Sequence, residues 1–361
     1  VFTECAFRFA TSRERPSSEK WGKIMILNLN SSKFVFFAVM IAMPSLNAFA
    51  DPTPTPTPQP KLEKAAAESE EKKPGEAPTP ENVDELITNN NLRALSGSKS
   101  KWSIASEFNY NGGTISSPFS QDRPDISGAS GTTTKADLDG SISVKYNLST
   151  KSALLAGIGV RWIAPFSTGN IKNYDGDAFD FINPYLTYQY IYKWWGIQSV
   201  LQASFMEWTQ SDQTALGYGQ QVSIDQENMY EIGETHISIG ASINVQYQWF
   251  NKSGAYGNPS DQANYISDLG MVQSQYLFTV APELEYQISD KVNFRTLVNL
   301  WTYEHYKVAP QTLIHDVVYE SVGVGVSITR DIFVYPNVQF LPGNIGSQLT
   351  NVGVTATINL F

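Results

Sequence analysis

The sequence is short of the residues most site chemistry relies on. One cysteine, Cys5, stands among 361 residues, so neither a disulfide nor a thiolate-metal site can be assembled. Three histidines, His236, His305 and His315, give little material for metal or general-base chemistry. Basic patches are missing too. The chain carries 25 Lys plus Arg against 35 Asp plus Glu, a net charge of −10, which is the wrong sign for nucleic acid. Helical periodicity is missing from residues 101–361, and no apolar run reaches the roughly 20 residues of a membrane helix. No cofactor is expected.

Four zones divide the chain. Residues 1–24 are charged and patternless, and they read as a non-native upstream extension before a start at Met25. Residues 25–50 read as a secretory signal peptide. A short segment ending in Lys33 precedes the apolar run FVFFAVMIAM, and Ala48-Phe49-Ala50 offers a small-x-small site with cleavage after Ala50. A retained anchor helix is disfavoured by Pro44 and Asn47. No cysteine follows the cleavage site, which argues against lipid anchoring. Residues 51–100 form a Pro-rich, charged linker. DPTPTPTPQP reads as polyproline spacer, and the following charged stretch lacks aromatics and cannot fold alone. Within it, NVDELITNNNLRAL has enough amphipathy for a turn or two through Val83, Leu86 and Ile87. It is read either as disordered tail or as a segment that docks on the folded domain or crosses the periplasm.

Residues 101–361 alternate. In 236–249, Ile237, Ile239, Ala241, Ile243, Val245, Tyr247 and Trp249 share one strand face, and Ser238, Gly240, Ser242, Asn244, Gln246 and Gln248 the other. Twelve strands are predicted, at 101–111, 134–148, 152–164, 179–192, 197–209, 219–232, 236–250, 274–288, 291–305, 314–329, 331–341 and 350–361. The sixth alternates poorly. Tight turns such as LSTKS, KWWG, IGET, ISDKV and TRD mostly alternate with longer connections at 112–133, 165–178, 210–218, 251–273 and 342–349. An even number of long antiparallel strands, with short turns at one end and long loops at the other, predicts an all-β transmembrane barrel or barrel-like wall of about 12 strands. Trp162, Trp208, Trp249 and Trp301 fall late in outward-running strands, and Trp102, Trp194 and Trp195 near the opposite rim, which predicts two aromatic girdles. A soluble sandwich would concentrate such residues mid-strand.

The signal peptide, the alternating strands and the terminal Phe361 together resemble Gram-negative outer-membrane barrels. The resemblance implies that the last strand is an assembly signal read by the barrel-assembly machinery, and that the location is the outer membrane. One detail departs from the family pattern. Phe361 falls in register with polar Thr355, Thr357 and Asn359, so a bulge or a break in pairing is expected near the end.

Three function classes follow. A porin-like barrel would pass small solutes by passive diffusion. Residues 101–361 carry 13 Lys plus Arg and 23 Asp plus Glu, so cations are favoured. Glu107, Asp137, Asp139, Glu283 and Glu285, joined by Lys145, Arg161 and Arg295, are the candidate lumen charges. A lipid hydrolase is the weaker enzyme reading. His305, Glu304, His315 and Asp316 flank one outer loop, but no serine motif accompanies them. The third class is structural. Pro184, Pro282 and Pro336 interrupt predicted strands and suggest bent or shared walls, hence a homo-oligomer in membrane lipid. The stretch LRALSGSKSKWSIASEFNYNGGTI, after the Pro-rich leader, resembles the porin-like outer-membrane proteins of predatory bacteria, the PopA family. That resemblance implies ring oligomers enclosing lipid, as the alternative to a diffusion pore.

Overall fold

A strand that is apolar on one side and polar on the other is stable in lipid only when both of its edges are paired. In the computed structural model, all twelve predicted strands find two neighbours. The structure describes residues 27–28, 83–126, 133–167, 171, 177–251, 273–306 and 312–361. The expected signal peptide and the polyproline spacer lie outside these, apart from Leu27–Asn28, which pairs with Leu313 and Thr312.

The wall strands are β1 (Trp102–Asn111), β2 (Asp137–Asn147), β3 (Ser152–Ile163), β4 (Phe179–Trp194), β5 (Ile197–Glu207) and β6 (Tyr218–Glu231). They continue as β7 (Ile237–Phe250), β8 (Ser274–Ser289), β9 (Val292–Asn299, then Trp301–Tyr306), β10 (Thr312–His315, then Tyr319–Thr329), β11 (Ile332–Phe340) and β12 (Thr350–Leu360). Each pairs antiparallel with the next, and β12 returns to β1 from Gly353↔Asn111 to Leu360↔Ile104. The wall is thus a closed twelve-stranded antiparallel barrel within one chain.

Turn chemistry sorts the two ends. Trp195 and Gly196 both have positive φ, 49° and 82°, and join β4 to β5 as the two-residue turn whose twist matches the strands. Arg330–Asp331 and Asp290–Lys291 are equally short. The opposite end carries the long connections. In the first, Asp122–Pro124 pairs with Thr133–Lys135 as a small ribbon.

The prolines sit where the ladder lapses. Pro184 follows Asn183 (φ 52°), beside the register shift between β3 and β4. The side chain of Asn183 accepts there from the Thr209 and Gln210 amides. Pro282 lies at the break that divides β9, between the pairs Val280↔Trp301 and Glu283↔Leu297. Pro336 lies where β11 loses its pairs to β10 between Asn337 and Val334. All three are accommodated inside one closed wall.

Side chains divide by face. Val144, Leu154, Leu186, Phe205, Ile239, Leu284 and Leu360 are exposed on the outside, while Ser143, Gln189, Gln198, Asn244, Thr279 and Asn359 are buried inside. This is the organisation of a transmembrane β-barrel, apolar outside and polar within. Six of the seven rim tryptophans are exposed, by 41 to 81%. Trp208 differs. It is 9% exposed and packs with Met206 and Tyr218 on the inner side, because it continues the inward register of Gln198, Val200 and Met206. It belongs to an inner cluster and not to the exposed girdle.

The end of the chain resolves its register differently from a bulge. β12 stays paired to Leu360, and Phe361 then turns with φ 81°, so its ring leaves the inward register and stands exposed.

Candidate functional site

The last part of the expected linker lies inside the barrel. Two short helices, α1 (Val83–Leu86) and α2 (Asn90–Ser96), enter the lumen at the tight-turn end. A helix this short cannot persist alone in water. Its ends leave amides and carbonyls that need partners, and the wall supplies them. At the start of α2, Gln198 Oε1 accepts from the Thr88 and Asn89 amides at 2.7 and 3.0 Å. Asn89 caps the helix by accepting from the Leu92 amide, and its Nδ2 donates to Glu285 Oε2 at 2.7 Å. At the far end, Asn359 donates to Ala94 O at 2.8 Å, Gln189 to Leu95 O at 2.8 Å, Lys145 to Ser96 O, and Arg330 to Gly97 O at 2.8 Å. Four consecutive carbonyls each receive a wall donor.

Apolar contacts complete the dock. Ile87, Leu92 and Leu95 pack on Ile191, Val200 and Met229, which stand on the inner faces of β4, β5 and β6. Ala94 packs on Phe333 and Tyr335 of β11. At the mouth, Asp84 pairs with Lys99 and, at 2.8 Å, with Arg330. Partial burial pushes the Asp84 carboxyl up. The hydrogen bonds from Lys99 and Arg330 outweigh that and hold it below its ordinary 3.8. Ser98 Oγ donates to the carbonyl of Phe361, tying the entering segment to the end of the chain.

The predicted lumen charges form two groups. Glu283 and Glu285 of β8 face Arg295 of β9, which grips Glu283 with two hydrogen bonds at 2.7 and 2.8 Å and lies 3.6 Å from Glu285. Glu227 of β6 is buried on the same inner side. Lys145 is buried under α2 and donates to Gln189 as well as to Ser96. Nearer the long loops, Asn111 Nδ2 donates to Asp137 and Asp139 at 3.0 and 2.8 Å, and Arg161 stands 3.8 Å from Asp137. Glu107 lines a cavity of about 60 Å³ above Leu95, together with Tyr185, Asp225, Ser143 and Thr357. This space suits a few water molecules. Much of the rest of the inner face is filled by Asn, Gln, Ser and Thr side chains that are nearly inaccessible.

The two histidines at the outer loop take ring partners. His305 lies against Tyr276 and His315 against Tyr303, and His315 Nε2 is 2.9 Å from Leu300 O. Among the described residues, no group of three acidic, His or Cys side chains is placed to hold a metal.

The plug that α1 and α2 form is only half legible in sequence: Val83, Leu86 and Ile87 predict a turn, but nothing local predicts α2. Its clearest signal lay in the wall: Ile191, Val200, Met229 and Phe333 fall on the inner face, where apolar residues need a cover.

No family model and no curated protein matches the chain. Among solved structures, it is similar to an outer-membrane channel from Pseudomonas putida F1, with TM-score 0.41 and 7% identity over 73% of this chain and 97% of that one. The NanC porin gives 0.36 at 8% identity over 71% and 97%. The translocator domain of the autotransporter NalP from Neisseria meningitidis gives 0.37 at 8% over 77% and 96%. At these values no family is assigned, and the barrel rests on its own strand pairing.

Proposed function

We propose that the chain is a porin-like barrel of the bacterial outer membrane, passing small polar solutes through its interior and held closed by α1–α2 in this conformation. One observation carries the reading: an apolar outer face surrounds an inner face made of hydrogen-bonding side chains and of carboxylates in excess over cations. Such a lining favours small cations, since Glu107, Asp137, Asp139, Asp225 and Glu227 outnumber Lys145 and Arg161 beyond the paired Glu283–Arg295. The barrel-assembly machinery would take Phe361 as part of its signal, and the exposed ring is free of the lumen to be read.

The test is single-channel conductance of the refolded protein in a planar bilayer. Discrete cation-selective openings are expected, and Asp137→Asn with Asp139→Asn should move the reversal potential toward zero. A second reading has one observation in its favour. The filled lumen suits a structural barrel, assembled with copies of itself around lipid. A folded protein that never conducts would select that reading over the first.

A further inference from the structure

We infer that the floor of the lumen is a peptide-binding site, and that Thr88–Gly97 is its displaceable ligand and not a fixed part of the wall. The wall does not need the segment to close, because every strand already has two strand neighbours. What it offers inward is a set of groups suited to a short helical peptide: an acceptor, Gln198, for the leading amides, and four donors for the trailing carbonyls. Between them lies the apolar patch of Ile191, Val200 and Met229. Each partner is a side chain at the end of a flexible stem that water can satisfy when the peptide leaves. The patch is the part that needs refilling.

The specificity is readable. The ligand must carry aliphatic residues at the spacing of Ile87, Leu92 and Leu95. It must present an amide donor to Glu285, as Asn89 does. It must also have glycine at position 97. There the backbone has φ 78°, and a Cβ would meet Lys145 Nζ and the side chain of Asn359. Glycine adopts this conformation freely and other residues do so at a cost.

Gly97→Ala in the full chain should therefore weaken the docking of the segment while leaving every wall residue unchanged. Leu92→Asp does the same through the apolar contact and serves as a second variant. Both are refolded into vesicles and mixed with a fluorescent synthetic peptide of residues 83–100. Saturable binding is expected to Leu92→Asp at micromolar peptide, and to Gly97→Ala as the peptide approaches about 0.1 mM, because a tethered segment weakened about tenfold still competes at that level. None is expected to wild type at micromolar peptide, because the tethered segment competes at an effective concentration of order mM. A peptide carrying Gly97→Ala or Asn89→Asp should bind at least about tenfold more weakly, a loss of roughly 1.4 kcal/mol. Absence of saturable binding to both variants, or equal binding of the altered peptides, overturns the inference.

Conductance is read in the same samples, and this arm alone rests on the reading of the lumen as a passage. Openings that appear in the variants and close on adding peptide support both. Binding without any openings supports the peptide site and contradicts the passage. Openings that peptide never closes, with no binding, keep the passage and overturn the site.

Discussion

The tight-turn end and the loop end of the lumen are lined by the same twelve strands, yet they hold charge differently. Toward the tight turns, Arg295 and Glu283 form a two-bond pair with side chains 8% and 1% exposed. Toward the loops, Arg161 and Asp137 stand 3.8 Å apart, 25% and 18% exposed. The difference follows from the plug. Asn89 sits on Glu285 and seals its neighbourhood, whereas the upper pair stays partly exposed. A buried pair is costly to break and an open one is nearly indifferent.

The sharpest way to break this contrast is to remove each arginine. Arg295→Met strands two buried carboxylates and should cost about 3–5 kcal/mol in urea unfolding from vesicles. Arg161→Met should cost less than about 1 kcal/mol. Equal losses would erase the distinction between the ends. Next in size is the dock itself. Leu92→Ala removes a fully buried side chain and should weaken docking by about 2–5 kcal/mol. Faster trypsin cleavage after Arg93, with the wall intact, is the expected sign, and an unchanged rate would count against the dock. On the outer face the two ends should behave alike, since both meet lipid. Leu186→Arg should cost about 2–4 kcal/mol if it lies near the midplane, and tolerance of it would argue against lipid contact there.

The smallest effect concerns Asp84 at the mouth. Its pairs with Lys99 and Arg330 are partly exposed, so Asp84→Asn should change docking by less than about 1 kcal/mol at pH 7. The sign with pH is set by its lowered carboxyl. The contribution is full above the ordinary value of 3.8 and is lost as pH falls through the depressed value. The difference in docking between wild type and Asp84→Asn should stay constant from pH 7 to pH 5 and close only in stronger acid. A divergence that grows between pH 7 and pH 5 would assign the titration to another group.

Alternation made the wall legible, because period-two patterning and turn residues are local properties. β6 was the weak case, and the reason is lateral. Gln226 and Asn228 stand on its outward register, where the pattern asks for apolar residues. Gln226 donates to Tyr192 and Asn228, and Ser199 donates to Asn228, so the row is satisfied by β4 and β5. Nothing within β6 announces those partners. The plug was harder still. α2 has seven residues and takes its end bonds from β2, β4, β5, β12 and the turn at Arg330, so no local signal specifies it. The same holds for Trp208, whose inward position depends on the face that β5 presents at its outer end.

Hydrogen exchange of the refolded wild-type protein tests the central claim most directly. The amides of Thr88, Asn89, Leu92, Arg93 and Gly97 all have acceptors in the docked segment or the wall. The account predicts that they exchange far more slowly than in the free peptide, approaching the wall strands. Exchange at the free-peptide rate beside a protected wall would contradict it, and would leave the floor of the lumen open.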